Sequence, residues 1–392
     1  MNAAPKGDQL IIELWDQIDA SNIEAFKADV RQAMAQHPGL KPVMDAGRMT
    51  YISSAGLRML LSLSRETEGG LSIINVSPEV YDIFQITGFT EILHVTRSMR
   101  EISVEGCPVI GAGAVGTVYR LNADTIVKVF ELPDCLPMIE NEQRRAKQAL
   151  IHGIPTAISY DIVRVGEKYG AVYELINARS FNDLLRADPG RADELIHRYT
   201  EVIRQVHGIT AEPGEFPDSR DTFLGYMEKI GPALPGDTAE RLTALFRAMP
   251  EDLHMVHGDF HMNNIMLSGD EPLLIDMDTL CVGNPVFDFA GIYVAYQAFN
   301  EDEPENCIRF LGISGELCDA IWNRSLAEYL GNPDEQTLLT AKRKAMVAGS
   351  VRYLYLLLEL KLGGEPPLRE RRIRTGIRHL VELLPDTDTL VL

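Results

Sequence analysis

The most informative segment is a short polar loop, His257-Gly-Asp-Phe-His-Met-Asn-Asn264. Asp259 and Asn264 are five residues apart in this loop, and Asp276 follows twelve residues later in the apolar run Leu273-Leu-Ile-Asp-Met-Asp278. Phosphoryl transfer needs a carboxylate that takes the proton of an acceptor hydroxyl, and oxygen ligands that hold Mg²⁺ on the phosphates. We therefore predict Asp259 as the base, and Asn264, Asp276 and Asp278 as metal ligands.

The histidines of this segment admit a second interpretation. His257 and His261 are four residues apart, a spacing that also occurs in zinc sites. That arrangement requires a helix, and Gly258 together with the Asn-Asn pair interrupts one. Zinc would also leave Asp276 unexplained. We interpret His254, His257 and His261 as structural residues.

A glycine-rich turn precedes this loop in the chain. Gly111-Ala-Gly-Ala-Val-Gly-Thr-Val-Tyr119 lies between two strand-like runs. Glycines allow the backbone to approach a phosphate without a Cβ clash. The following residues continue as a strand, so the motif does not indicate a dinucleotide fold, in which a helix would follow. A plain glycine-rich hairpin is the alternative. The candidate nucleotide contacts are Gly111, Gly113, Gly116 and Val118.

Lys128 stands inside the apolar, β-branched run 125–130. Burying a lysine there is costly unless it meets an anion. An outward-facing lysine is the alternative, but its position one strand after the glycine-rich turn favours contact with nucleotide phosphates. Glu142 on the following helix is the candidate partner for Lys128. Glu140 is its rival, and the spacing does not decide between them.

The ordered set of these motifs resembles a known family. Residues from about 107 to at least 295 resemble the protein-kinase-like fold in its aminoglycoside phosphotransferase and choline kinase branch. The resemblance implies a bilobal enzyme that uses ATP and Mg²⁺. It also implies that Asp288, in Gly283-Asn-Pro-Val-Phe-Asp288-Phe-Ala290, braces the catalytic loop. Backbone groups of the hinge Tyr173-Glu-Leu-Ile176 would meet the adenine, through Glu174, Leu175 and Ile176.

The first hundred residues resemble a different family. Strand-like and helix-like runs alternate there, which indicates an α/β layer. Residues 5–103 are similar to the STAS domain of anti-sigma factor antagonists; the segments that carry the similarity are Trp15-Asp-Gln-Ile-Asp-Ala20, Pro42-Val-Met-Asp45, Tyr51-Ile-Ser-Ser-Ala-Gly-Leu-Arg58, Ile74-Asn-Val-Ser-Pro-Glu-Val80 and Ile86-Thr-Gly-Phe89. The resemblance implies a serine at a helix start that a partner kinase phosphorylates. Alignment on Gly-Leu puts Ala55 at that position. Ser53 and Ser54 are the candidate phosphosites, with helix capping as the alternative.

Composition limits the partners and the compartment. The chain has 392 residues and a formal net charge of -20. Nucleic acid and anionic membrane surfaces are held mainly by Lys and Arg, so neither is expected as a partner. There are five scattered cysteines, no CxxC, no signal-peptide pattern and no apolar stretch long enough to span a bilayer. We expect a cytoplasmic protein with free cysteines.

Together these patterns predict a two-domain chain of mixed α/β and α+β class. A STAS domain is expected over residues 1–103 and a kinase-like domain over 104–392, with a β-rich N-lobe to about 176 and a mostly helical C-lobe. The predicted function is an ATP- and Mg²⁺-dependent phosphotransferase of unknown acceptor, small molecule or protein, with the STAS domain as regulator or substrate. The alternatives are a non-catalytic, nucleotide-sensing partner-switch protein that binds an anti-sigma-type protein and, on fold analogy alone, an aminoglycoside resistance kinase.

Overall fold

The computed structural model describes residues 1–67, 69–112, 116–132, 135–176 and 178–392. Gly113, a predicted phosphate contact, lies outside these ranges. The chain divides into two compact units. The first contains Met1–Ser103 and Ile162–Glu167, and the second contains Val104–Asp161 and Lys168–Leu392. In the part of the chain that the structure describes, no helix is both long and apolar enough to cross a bilayer.

The first unit is an α/β layer. Its strands are β1 (Ala3–Lys6), β2 (Gln9–Glu13), β3 (Gln17–Ile18), β4 (Lys41–Asp45), β5 (Tyr51–Ile52), β6 (Ser72–Val76), β7 (His94–Arg97) and β8 (Arg100–Glu101). Its helices are α1 (Ile23–Gln36), α2 (Ser54–Glu66) and α3 (Pro78–Ile86). The main sheet has the order β1-β2-β4-β6-β7, with β1 antiparallel to β2 and the other neighbours parallel.

The parallel pairings explain the alternation seen in the sequence. Parallel neighbours need a crossover connection, and α1, α2 and α3 supply it. Apolar residues of the strands and helices share one core, as Leu10, Phe26, Leu60 and Ile73 show, each with no exposed surface. The predicted α/β layer is therefore confirmed.

The second unit begins with a mostly antiparallel sheet and one long helix. Its strands are β9 (Val109–Ala112), β10 (Gly116–Arg120), β11 (Thr125–Phe130), the first three residues of β12 (Ser159–Val165) and β13 (Lys168–Glu174), and the helix is α4 (Leu136–Ile151). The strand order is β12-β13-β11-β10-β9. Lys128 on the central strand β11 faces Val118 of β10 and Ala171 of β13 in the register.

Gly116 has a packing reason to be glycine. A Cβ at this position would lie 2.4 Å from the carbonyl oxygen of Val129 on the neighbouring strand. A Cβ on Gly111 would meet nothing closer than the Cβ of Val118, at 3.7 Å. Of the two described glycines in the predicted phosphate turn, Gly116 is therefore required by the close approach of β10 and β11.

The rest of the second unit is mostly helical. Its helices are α5 (Phe181–Ala187), α6 (Ala192–His207), α7 (Ser219–Ile230), α8 (Thr238–Arg247), α9 (Val286–Tyr293), α10 (Phe299–Glu301), α11 (Asn306–Phe310), α12 (Gly315–Tyr329), α13 (Glu335–Leu358) and α14 (Pro366–Leu383). Its short strands are β14 (Arg179–Ser180), β15 (Met255–Val256), β16 (Ile265–Ser268), β17 (Glu271–Leu274) and β18 (Cys281–Val282). The polar loop 257–264 lies between β15 and β16, and helix α9, buried along its whole length, supports it.

Candidate active site

Lys128 lies among carboxylates. Its Nζ is 2.6 Å from Asp276 Oδ1 and 3.7 Å from Glu142 Oε2. Burial lowers the pKa of Lys128, but the charges of Asp276 and Glu142 outweigh burial and raise it above its usual value. The side chain is 18% exposed, so the outward-facing alternative is wrong. Of the two glutamates that the spacing left open, Glu142 lies within reach of Lys128.

Glu142 is held in place by a second contact. Its carboxylate is buried on α4, and Tyr173 Oη donates a hydrogen bond to Glu142 Oε1 at 3.0 Å. Burial raises the pKa of Glu142, and the charge of Lys128 opposes that effect. The sequence predicted a role only for the backbone of Tyr173, as part of the hinge. Its hydroxyl fixes the carboxylate that faces Lys128.

Asp276 and Asp278 follow β17 in a tight turn. Asp276 has a left-handed backbone, with φ 57° and ψ 64°, which is uncommon for a residue other than glycine and is often found at functional sites. Arg145 on α4 donates a hydrogen bond to the carbonyl oxygen of Asp278. Helix α4 therefore contacts both Lys128, through Glu142, and the turn that carries the two carboxylates.

The oxygen ligands predicted for Mg²⁺ suit that ion. Burial raises the pKa of Asp278 to about 6, and the charges of Glu142 and Asp276 add to the effect. Within the described ranges, no group of three His, Cys, Asp or Glu side chains is arranged to hold a metal. Mg²⁺ commonly takes one or two protein carboxylates and completes its shell with phosphates and water. Asn264, Asp276 and Asp278 fit that pattern.

The polar loop 257–264 is packed tightly against the same turn. Gly258 has φ +82°, and a Cβ there would lie 2.6 Å from the carbonyl oxygen of Thr279. Thr279 Oγ1 donates to the carbonyl oxygen of His257 at 2.8 Å. Only glycine allows both the left-handed backbone and this approach. The loop of Asp259 and the turn of Asp276 are thereby fixed to each other.

Asp288 on α9 braces the loop from behind. Its carboxylate has no exposed surface and accepts hydrogen bonds from the backbone N–H of His257 at 3.0 Å and of Gly258 at 2.7 Å. His207 Nε2 on α6 donates to the same carboxylate at 2.9 Å. The resemblance implied this role for Asp288. The contribution of His207 was not foreseen, because it comes from a separate helix.

His257 and Asn264 order the loop from within. His257 Nδ1 accepts from the backbone N–H of Asp259 at 3.3 Å, and its Nε2 donates to the carbonyl oxygen of Ile275 at 3.2 Å. Burial lowers the pKa of His257, in keeping with a neutral ring. Asn264 Nδ2 donates to the carbonyl oxygen of Asp259 at 3.0 Å. The amide oxygen of Asn264 is then the atom that can bind a cation.

The Asp259 carboxylate is partly exposed and flanked by cationic or ionisable groups. Arg352 Nη2, on α13, is 3.0 Å from Oδ1, and His261 Nε2 is 3.5 Å from Oδ2. Burial raises the pKa of Asp259, but His261, Arg352 and His257 together hold it well below its usual range. Asp259 is therefore ionised, as a proton acceptor must be. Sequence reasoning missed Arg352, and no motif surrounds it.

The predicted hinge is only partly free to meet a base. Glu174 ends β13 and is exposed. The N–H of Leu175 donates to the carbonyl oxygen of Asp124 at 2.8 Å, and the carbonyl oxygen of Ile176 accepts from the N–H of Ala178 at 2.9 Å. The N–H of Leu175 is therefore not the donor to an adenine in this conformation.

In the first unit, the predicted phosphosites stand at the start of α2. Ser53 is the N-cap, and its Oγ accepts a hydrogen bond from the N–H of Gly56 at 3.3 Å. Ser54 is the first helical residue, and its side chain is exposed. Ser53 thus has the capping role that was the alternative. Ser54 has the more accessible hydroxyl.

Comparison with known proteins gives a family match for each part of the chain. A family model described as "Phosphotransferase enzyme family" (APH) matches residues 106–316, more than half of the 392 residues, and a STAS domain model matches residues 1–102. "Putative anti-sigma factor antagonist BtrV" of Bordetella bronchiseptica is 35% identical over 92 residues, which are 23% of this chain and 78% of that protein.

A solved structure resembles a large part of the chain. A thermostable mutant of aminoglycoside phosphotransferase APH(4)-Ia, in a ternary complex with ADP and hygromycin B, aligns over 72% of this chain and 94% of its own, with a TM-score of 0.50. The identity is 12%, so this likeness concerns the fold alone.

Proposed function

The chain belongs to the phosphotransferase enzyme family and carries a STAS domain at its N-terminus, and from this premise we propose that it transfers the γ-phosphoryl group of ATP to a hydroxyl acceptor. The fold is the two-domain arrangement expected from the sequence, a STAS domain followed by a kinase-like phosphotransferase.

The observation that carries the proposal is the set of contacts around Lys128 and Asp259. Lys128 pairs with Asp276 at 2.6 Å, and the turn of Asp276 is packed against the loop of Asp259. The candidate phosphate contact thus lies beside the candidate metal-binding turn, and that turn packs against the loop of the candidate base. Little covalent chemistry is asked of the protein in phosphoryl transfer, so positioning and charge stabilisation are its main contributions.

Each side chain has a distinct role in this proposal. Asp259 accepts the proton of the acceptor hydroxyl while the hydroxyl oxygen attacks the γ-phosphorus of ATP. The bond from the γ-phosphorus to the β,γ-bridging oxygen breaks, ADP leaves, and Lys128 holds the phosphates. Asn264, Asp276 and Asp278 would hold Mg²⁺, which neutralises charge on the phosphate oxygens. Glu142 and Tyr173 keep Lys128 oriented. Gly111, Gly116 and Val118 would lie along the phosphates, and Glu174 and Ile176 would contact the adenine.

The STAS domain supports a regulatory role. Its relative BtrV carries the description of an anti-sigma factor antagonist, which applies to that protein. By analogy, we propose that the STAS domain of this chain binds an anti-sigma-type protein and modulates phosphoryl transfer. Ser54 is the most accessible candidate in this domain for accepting a phosphate. The negative charge of a phosphate on this serine, at the start of a helix, would be stabilised by the helix dipole.

The test is turnover of labelled ATP by the full chain with Mg²⁺ and a panel of hydroxyl acceptors that includes hygromycin B. Asp259→Asn should reduce phosphoryl transfer by roughly 10²–10⁴-fold while nucleotide binding persists, because only the base is removed. Mass spectrometry then shows whether label reaches Ser53 or Ser54. Equal turnover in Asp259→Asn would remove the base assignment. ATP binding without any turnover would instead support the nucleotide-sensing scaffold, and rapid labelling of hygromycin B would support a resistance kinase.

A further inference from the structure

Arg352 reaches the catalytic loop from a helix that lies outside the segment matched by the phosphotransferase family model. Residue 352 is on α13 (Glu335–Leu358), whereas the match ends at residue 316. One guanidinium nitrogen donates to the carbonyl oxygen of Gly258, and the other, Nη2, lies 3.0 Å from Asp259 Oδ1. Arg352 therefore holds the backbone and the carboxylate of two successive loop residues.

The position of Arg352 is itself fixed by packing. Its side chain is only 14% exposed, and α13 packs against α7 and α9. On α9, a Cβ at Gly291 would come within 3.3 Å of Arg352 Nη1, so the glycine leaves room for the guanidinium. A planar guanidinium that makes two contacts is more strictly oriented than a lysine ammonium would be. The packing around Arg352 therefore holds its side chain in contact with the loop.

The partners of Asp259 explain why such a contact is needed. His261 Nε2 stands at 3.5 Å from Oδ2, which is too long for a strong hydrogen bond. The carboxylate is 39% exposed and could rotate if only His261 touched it. Arg352 supplies the close contact, and Asn264 holds the main chain of Asp259 at the same time. Orientation of the base thus depends on a side chain far away in the sequence.

We propose that Arg352 is a positioning residue of this phosphotransferase, which holds the Asp259 carboxylate in the orientation that meets the acceptor hydroxyl. The inference rests on the proposed function, since orientation matters only if Asp259 acts as the base. Arg352 acts through Asp259 and the Gly258 carbonyl. A misplacement of a catalytic group by about 1 Å can cost roughly 10²-fold in rate, so a residue of this kind affects kcat more than nucleotide affinity.

The first experiment measures steady-state ATP turnover by the full chain. Arg352→Met should lower kcat by about 10²-fold and leave KM for ATP within about twofold. Arg352→Lys should recover part of the loss, because it restores the charge without the second contact. Guanidinium ion, at concentrations far below those that unfold the protein, should partly rescue Arg352→Ala. Arg374→Met, an exposed arginine on α14, is the matched control and should behave as wild type.

The possible failures are distinguishable. If the wild type turns over ATP and Arg352→Met equals it, the inference is wrong and the proposed function stands. If the wild type shows no turnover with any acceptor or with water, the proposed function fails.

A double-mutant cycle on urea unfolding tests the contact without activity. The destabilisation by Arg352→Met should shrink when Asp259→Asn is already present, because the paired charge is gone. Additive effects of the two substitutions would overturn the inference by showing that the side chains are uncoupled. If Arg352→Met does not fold, the kinetic comparison is made between the wild type and Arg352→Lys, provided that Arg352→Lys is folded.

Discussion

Lys128 Nζ and Asp276 Oδ1 are 2.6 Å apart, so the candidate phosphate contact and a candidate metal ligand are direct partners. Lys128 comes from a central strand of the first sheet of the second unit, and Asp276 from a turn 148 residues later in the chain. The pair brings strand β11 next to the turn that follows β17.

Replacing the lysine should weaken nucleotide binding. We expect Lys128→Met to raise the dissociation constant of ATP by about 10- to 100-fold, since a hydrogen bond to a charged group contributes about 1.5–3 kcal/mol. Isothermal titration with ATP and Mg²⁺ measures this effect. Lys168→Met is the control, because Lys168 is exposed and pairs with Glu131 at the surface. Unchanged affinity in Lys128→Met would show that Lys128 does not touch the phosphates.

Replacing either acidic residue of the turn should change the requirement for magnesium. Asp276→Asn and Asp278→Asn each remove one anionic ligand, so the Mg²⁺ concentration for half-maximal turnover should rise by at least about 10-fold, the size of effect seen even for residues that only support metal ligands. Asp270→Asn, at an exposed position between β16 and β17, is the control. A Mg²⁺ dependence identical to that of the wild type in both variants would contradict the metal assignment.

Gly258 should not tolerate a side chain. Gly258→Ala combines a left-handed backbone with a Cβ 2.6 Å from the Thr279 carbonyl oxygen, so we expect a loss of roughly 2–4 kcal/mol in the free energy of unfolding. Gly269→Ala separates the two causes, because Gly269 has φ +61° and nothing within 4 Å of the added Cβ. That variant should lose only about 1–2 kcal/mol. Equal losses in urea unfolding would mean that the clash is relieved at no cost.

The two serines of the STAS domain should differ in their effect on stability. Ser53→Ala removes the N-cap acceptor of α2 and should cost about 1 kcal/mol of unfolding free energy. Ser54→Ala, at the exposed first helical position, should stay within about 0.5 kcal/mol of the wild type. Thermal unfolding of the full chain measures both. A larger loss for Ser54→Ala would reverse the assignment of the cap.

Residues that share a short segment were predictable from the sequence. Asp259 and Asn264 stand in one loop, and the spacing to Asp276 matches a single type of chemistry. Both domains were also identified from the order of their motifs, and the family matches bear that out. The site assignments themselves stay predictions until the variants above are measured.

Contacts between distant elements were not predictable. Glu140 and Glu142 point in different directions on α4, and only the packing of that helix brings Glu142 to Lys128. His207 and Arg352 stand on helices and belong to none of the motifs found in the sequence. The backbone N–H of Leu175 donates a hydrogen bond to the carbonyl oxygen of Asp124, and this bond depends on the pairing of the strands. In each case the sequence alone did not show which distant elements pack against each other.

Helix α13 also bears on where the catalytic unit ends. The sequence segment that identifies the family stops at residue 316, yet Arg352 lies 36 residues beyond it and contacts Gly258 and Asp259. A shorter fragment cut at that boundary would keep every recognisable motif and lose the guanidinium that contacts the base. On the proposed role of Arg352, the segment matched by the family model is shorter than the unit that functions, and the ends of a minimal fragment have to be chosen from contacts in three dimensions.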